Sequence, residues 1–92
     1  MPVKILIPKV LRSYTKDADS VELPAADVAG LLGELERAYP GIGTRLRGKD
    51  GKVLKFVNIF VNREDIRFLD EQKTTLKDGD EVAIVPAVAG GR

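Results

Sequence analysis

The fold is decided by residues 55–62, with the sequence KFVNIFVN. Hydrophobic β-branched side chains occupy every second position, namely Val57, Ile59 and Val61. Side chains on one face of a β-strand recur with a period of two, so the pattern predicts a strand here. Phe56 and Phe60 make the opposite face apolar as well, and we expect both faces of this strand to make contacts.

Downstream of this strand, turn residues separate two further strands. Residues 62–65 (NRED) are expected to form a hairpin turn, and residues 66–69 a short return strand. Asp78-Gly79-Asp80 is a second turn signal, which leads into a final strand at 81–86. In that strand Val82 and Ile84 alternate with Ala83 and Val85.

Upstream, the chain opens with a predicted hairpin. Hydrophobic residues alternate over 3–7, and Pro8, which has no N–H to donate to a sheet, is expected to end this strand near Lys9. Residues 10–20 are predicted to be a polar excursion. A second strand is predicted at 20–23, antiparallel to the first.

Between the hairpin and the central strand lies one predicted helix. Its apolar residues recur at helical spacing: Val28, Leu31, Leu32 and Leu35. It is expected to begin near Pro24 or Asp27 and to end at Pro40-Gly41. Residues 41–52 are predicted to be a glycine-rich basic loop with one short helical turn. Because Asp50 replaces the Ser or Thr of a phosphate-binding loop, nucleotide binding is not expected there.

The order of these elements predicts an α+β protein, in which one helix packs across a mixed sheet as in the β-grasp (ubiquitin-like) fold. We expect a β-grasp domain at 1–86 and a flexible C-terminal tail at 87–92. Because side chains alternate between the two faces of a strand, a second apolar set lies on the sheet face away from the helix, where no predicted element covers it: Leu6, Phe56, Phe60, Ala83 and Val85. This set is expected either to bind a partner or, for the two Phe residues, to pack beneath the 41–52 loop.

Composition excludes several functions. The chain has 92 residues, 43% hydrophobic and 32% charged, which suits one domain with a modest core. It contains no Cys and no His, which excludes disulfides, thiol nucleophiles and imidazole bases. Its net charge of +1 comes from scattered residues, so nucleic-acid binding is not expected. No signal peptide or membrane segment is predicted, and the expected compartment is the cytoplasm.

The tail, Ala87-Val88-Ala89-Gly90-Gly91-Arg92, follows the last strand directly. Two successive glycines remove both β-carbons, so this backbone can pass where any side chain would clash. A frayed terminus is the alternative explanation, because terminal residues are often poorly ordered. The sequence alone favours a functional tail only modestly.

Three segments carry a resemblance to a known family: residues 35–42 (LERAYPGI), 56–69 (FVNIFVNREDIRFL) and 76–91 (LKDGDEVAIVPAVAGG). They are similar to the corresponding elements of the ubiquitin-like sulfur carriers of bacteria, the ThiS/MoaD family. The resemblance implies that an E1-like adenylating enzyme uses ATP to activate the carboxylate of Gly91, which then becomes a thiocarboxylate. The carrier would be a cosubstrate rather than an enzyme, would bind no cofactor or metal, and would present Gly90, Val88 and Ala89 to its partners together with the open apolar set.

The sequence departs from the family at Arg92, since active carriers end in glycine. We expect a precursor from which a metallopeptidase removes Arg92; an inactive natural extension is the alternative. The ending VPAVAGG is most similar to that of the cysteine-forming carriers, which implies a cysteine synthase as sulfur acceptor. Two other functions use the same tail: a ubiquitin-like modifier conjugated to lysines, and the small subunit of a molybdopterin-synthase-like enzyme.

Overall fold

A computed structural model describes residues 2–86, in which five strands form one mixed sheet against one α-helix. The elements are β1 (Pro2–Leu6), β2 (Ser20–Pro24), α1 (Val28–Ala38), β3 (Val57–Val61), β4 (Glu64–Asp65) and β5 (Glu81–Pro86). The strand order is β2-β1-β5-β3-β4, in which β1 and β5 are parallel and all other neighbours are antiparallel. This is the predicted β-grasp arrangement.

The core lies between the sheet and α1. Every predicted core-facing strand residue is buried: Val3, Ile5, Ile7, Val57, Ile59, Val61, Val82 and Ile84. The apolar stripe of α1 meets them, and Leu31 and Leu35 are fully buried. Since a helix of 11 residues containing two glycines has little stability of its own, this packing is what holds it.

The ends of α1 follow the predicted signals. Asp27 is the N-cap, and its Oδ1 accepts a hydrogen bond from the Gly30 N–H at 2.7 Å. Beyond the helix, Gly41 has φ of 100°, a left-handed conformation that a residue with a β-carbon rarely adopts. Residues 42–45 then form a short 3₁₀ helix, as predicted, and Ile42 and Leu46 anchor the loop in the core.

The predicted return strand at 66–69 is wrong. β4 contains only Glu64–Asp65, and Ile66–Phe68 form a 3₁₀ helix. The Asp65 carboxylate caps this helix by accepting from the Arg67 N–H at 2.9 Å, and Ile66 turns into the core. A hairpin turn is confirmed but is shorter than predicted: Asn62 and Arg63 have φ of 50° and 74°, as a tight two-residue hairpin requires, whereas Glu64 and Asp65, predicted in the turn, pair with β3.

The predicted polar excursion at 10–20 is more ordered than its composition indicates. Lys9–Tyr14 form a 3₁₀ helix that buries Leu11, and the buried Thr15 hydroxyl donates to the Ala18 carbonyl oxygen at 3.0 Å. A further 3₁₀ helix spans Glu71–Lys73. No helix among residues 2–86 is both long enough and apolar enough to span a membrane.

Candidate functional site

An apolar row crosses the sheet face that points away from α1. In the strand register Leu6 of β1 lies beside Ala83 of β5, and Ala83 lies beside Phe60 of β3. All three are half-buried, whereas Val85, two positions along β5, is 43% exposed. The structure thus brings four of the five residues of the predicted open set together. We call these four residues the open face.

A charged cluster borders the open face on the β4 side. Asp65 stands opposite Phe60, and its carboxylate accepts from Arg67 Nε at 3.2 Å and from Arg67 Nη2 at 2.8 Å. Arg67 Nη2 also donates to the side-chain oxygen of Asn58, which lies opposite Val85. The hydrogen bonds from Arg67 lower the pKa of Asp65 below its usual value.

This cluster was not identified from the sequence, although two signals point to it. Asn58 is the one polar residue among the outward-facing positions of an otherwise apolar strand, and Asp65 and Arg67 flank a residue that turns into the core. On the other side of the row, Lys4 of β1 lies between Glu22 and Glu81. The open face therefore has an apolar centre and a border that carries both signs of charge.

A second feature lies where β5 ends. Pro86 pairs with Val57, and beside this pair a groove of about 390 Å³ opens to the surface. Its rim is formed by Val10, Tyr14, Arg45, Phe56 and Pro86, and its floor by the core residues Leu11, Val57 and Ile84. We call it the tail-root groove, since residue 87 follows Pro86.

Phe56 belongs to this groove. It was predicted on the open face, but it lies in the turn before β3, and the groove that it lines is floored by core residues. Phe56 is 54% exposed and Val10 is 69% exposed. Arg45 Nε donates to the Tyr14 hydroxyl oxygen at 2.9 Å. Tyr14 and Arg45 are 31 positions apart, and no local sequence pattern connects them.

The remaining predicted site residues lie outside the described part of the chain. These are Val88, Ala89, Gly90, Gly91 and Arg92. The structure fixes only the point from which they start, at the Val57–Pro86 pair.

The glycine-rich loop forms a shallow depression, and some of its basic side chains already make hydrogen bonds within the protein. Arg47 donates to both carboxylate oxygens of Glu36, at 2.9 and 2.7 Å, and to the side-chain oxygen of Gln72. A β-carbon on Gly43 would come within 2.8 Å of Glu36 Cγ, so this glycine permits close packing. Within residues 2–86 there is no group of three acidic side chains placed to hold a metal ion.

Comparison with known proteins identifies the family. The model of the ThiS family matches residues 5–91, which include nearly all of the sheet, α1 and the two glycines of the tail. The chain belongs to the ThiS family. The resemblance drawn from the three sequence segments is confirmed.

Individual members of this family match over the same extent. The chain is 43% identical to the sulfur carrier protein CysO of Mycobacterium tuberculosis (strain ATCC 25618 / H37Rv) over 93 aligned positions, which cover 99% of this chain and 100% of that protein. One chain in the crystal structure of the Amycolatopsis orientalis BexX/CysO complex superposes with a TM-score of 0.90 at 40% identity, covering 97% of this chain and 99% of that one. The β-grasp fold of this ThiS-family chain is thereby confirmed.

A third relative has a different description. The chain is 42% identical to small archaeal modifier protein 3 of Haloferax volcanii over 66 residues, which cover 72% of this chain and 71% of that protein. This chain is therefore similar both to proteins named as carriers and to a protein named as a modifier.

Proposed function

We propose that this protein is a cytoplasmic sulfur carrier that delivers sulfur as a C-terminal thiocarboxylate on Gly91. The observation that carries the proposal is the 43% identity to CysO along the whole chain, together with a family match that extends through Gly90 and Gly91. The role is that of a protein cosubstrate rather than an enzyme.

In the proposed reaction, an oxygen of the Gly91 carboxylate attacks the α-phosphorus of ATP in an E1-like adenylating enzyme, and pyrophosphate leaves. A sulfide or persulfide sulfur then attacks the acyl-adenylate carbon, and AMP leaves with the bonding electron pair. With a persulfide donor, a thiol reductant releases the thiocarboxylate. The chain has neither Cys nor His, so partner enzymes supply the sulfur and the acid–base groups.

Arg92 must leave before this chemistry, because its peptide bond occupies the carboxyl group of Gly91. We propose that a metallopeptidase removes it, which makes the encoded chain a precursor. The similarity to CysO supports cysteine biosynthesis as the destination of the sulfur, with a cysteine synthase as the acceptor enzyme.

We propose further that the open face is the surface on which these partners dock. Exposed contiguous apolar side chains on a small protein mark interaction sites, and a charged border gives orientation. Its residues Leu6, Phe60, Ala83 and Val85 project from the outer side of strands whose inner side forms the core.

The proposal is tested by comparing two chains, residues 1–91 and residues 1–92, with the adenylating enzyme of the same organism, ATP and sulfide. We expect only the shorter chain to gain the mass of one sulfur in place of one oxygen, as seen by intact mass spectrometry. Adding the metallopeptidase to the longer chain should restore the product. If the shorter chain is bound but never acquires sulfur, the carrier function is wrong.

The similarity to small archaeal modifier protein 3 supports one alternative, a ubiquitin-like modifier whose Gly91 is ligated to lysines. Conjugates would appear in cells as higher bands that resist reductant and disappear when Gly91 is deleted. The small subunit of a molybdopterin-synthase-like enzyme would instead copurify in a stable complex with its large subunit.

A further inference from the structure

The side-chain amide of Asn58 uses only its oxygen. Asn58 Oδ1 accepts a hydrogen bond from Arg67 Nη2, and within residues 2–86 no hydrogen bond involves Asn58 Nδ2. The orientation of the amide follows from its partner, because an arginine side chain has only donors and must face the oxygen. Asp65 holds the same guanidinium through Nε and Nη2, which keeps Arg67 beside that oxygen. Asn58 is thus left with two N–H donors that no described residue accepts.

The other amide side chains of the protein use both ends. The chain has three such residues, Asn58, Asn62 and Gln72. The side-chain oxygens of Asn62 and Gln72 each accept a hydrogen bond. Asn62 Nδ2 also donates to Asp80 at 3.0 Å, and Gln72 Nε2 donates to the Gly51 carbonyl oxygen at 2.9 Å. Within residues 2–86, Asn58 is therefore the one amide whose donors are not used inside the fold.

Asn58 lies where docking on the open face would cover it. In the strand register it stands opposite Val85, and it is two positions from Phe60 on the same face of β3. It is half-buried already, so a surface that covers Val85 and Phe60 removes the rest of its amide from water. A donor that loses water without gaining an acceptor weakens binding. The partner surface that fits best therefore places an acceptor oxygen at Asn58.

Resting on the proposed function, we infer that Asn58 is a specificity-determining residue of the open face. Its amide N–H groups bond an acceptor oxygen of the adenylating enzyme, next to the apolar surface that covers Val85. Arg67 and Asp65 are positioning residues, because they fix which end of the amide is left for the enzyme. A surface that is apolar throughout is rejected, since it would leave the Asn58 donors unpaired.

The test compares Asn58→Leu, Asn58→Asp and, as the control, Gln72→Glu. Leucine is close to asparagine in shape but has no donor, whereas aspartate keeps an oxygen for Arg67 and loses the donors. Gln72→Glu makes the same amide-to-carboxylate change at a residue whose oxygen also accepts from an arginine, in the 3₁₀ helix at Glu71–Lys73 rather than in the sheet.

ATP-dependent pyrophosphate release is measured with chain 1–91 as the varied substrate of the adenylating enzyme. Calorimetry with the same enzyme gives Kd, and urea denaturation reports the stability of each variant. We expect Asn58→Leu to raise KM and Kd by roughly 10-fold with little change in kcat, because the acceptor of the enzyme is then buried without a donor. Asn58→Asp should raise both at least as much while keeping the stability of the native chain, and Gln72→Glu should change neither.

The sign of the Asn58→Leu effect separates a bonded amide from one that is merely covered. Tighter or unchanged binding would overturn the inference, because docking would then be purely apolar and the amide would oppose it. If Asn58→Leu does not fold, Asn58→Asp decides, and a KM equal to that of Gln72→Glu would overturn the inference. Failure of native chain 1–91 to be adenylated at all would instead refute the proposed function.

Discussion

Val85→Asp is the sharpest test of the open face as a docking surface. Val85 lies on the outer side of β5 and is 43% exposed, whereas Val82, three positions earlier in the same strand and therefore on the opposite face, is fully buried in the core. Asn58 stands opposite Val85 and gives an introduced carboxylate a polar neighbour in the free protein. We therefore expect Val85→Asp to fold, with a stability cost of at most about 1 kcal/mol.

The expected loss of docking has two parts. Full burial of a valine side chain is worth about 1.5 kcal/mol, and the exposed fraction of Val85 leaves about 0.6 kcal/mol of this to be gained on docking. A carboxylate buried against an apolar partner surface without a hydrogen bond costs a further 1–3 kcal/mol, roughly. The total of about 1.6–3.6 kcal/mol corresponds to a loss of roughly 15- to 400-fold in kcat/KM.

The assay is thiocarboxylate formation from chain 1–91 by the adenylating enzyme with ATP and sulfide, followed by intact mass. Phe68→Asp is the matched control, because Phe68 is 81% exposed and lies outside the open face. Urea denaturation of Val85→Asp, with Val82→Asp as the unfolding reference, separates docking from folding. Unchanged kcat/KM in Val85→Asp, or an equal loss in Phe68→Asp, would refute the docking role.

Two further predictions concern stability. Hydrogen bonds from the Asn62 side chain and the Lys77 backbone N–H lower the pKa of Asp80 below its ordinary value of 3.8. This stabilisation is present above pH 3.8 and is lost as pH falls through the lower folded-state pKa. We therefore expect the Tm of the native chain to exceed that of Asp80→Asn near neutral pH and this difference in Tm to shrink in acid. A difference in Tm that does not change with pH would contradict the assignment. Arg63→Gly should raise the free energy of unfolding by roughly 0.5–1 kcal/mol in urea denaturation. Arg63 has a left-handed conformation, whose cost to a residue with a β-carbon exceeds the chain entropy that glycine loses on folding. A destabilised variant would show that the Arg63 side chain makes contacts that the turn needs.

The alternation of apolar and outward-facing residues along the strands made most of the fold predictable. The apolar alternation in β1, β3 and β5 assigns each residue to the core or to the open face, and burial agrees at every predicted core position. The helix could also be predicted from local sequence, since Asp27 and Gly41 mark its two ends. The same alternation located Leu6, Phe60, Ala83 and Val85 on one face before any strand order was known.

The sequence-based predictions fail where contacts of individual side chains determine the backbone conformation. At 66–69, an extended strand would have placed Ile66 in line with β4, but the Asp65 carboxylate caps the Arg67 N–H and Ile66 enters the core. Phe56 has the right parity for the open face, yet it precedes β3 in a turn, where parity no longer fixes direction. The Tyr14–Arg45 contact joins the last residues of two 3₁₀ helices that are far apart in the sequence, so only the assembled fold shows it.

Residues that form the core and residues proposed to dock partners alternate along the same strands of this protein. Ile59 and Ile84 hold α1 against the sheet, while Phe60 and Val85, the next residues, face outward. Partner contacts can therefore change on one face without altering the core packing on the other. The Val57–Pro86 pair belongs to both functions, since it closes the sheet and fixes the starting point of the tail. A tail that starts from a rigid pair loses less conformational freedom on entering an active site than one that starts from a frayed strand.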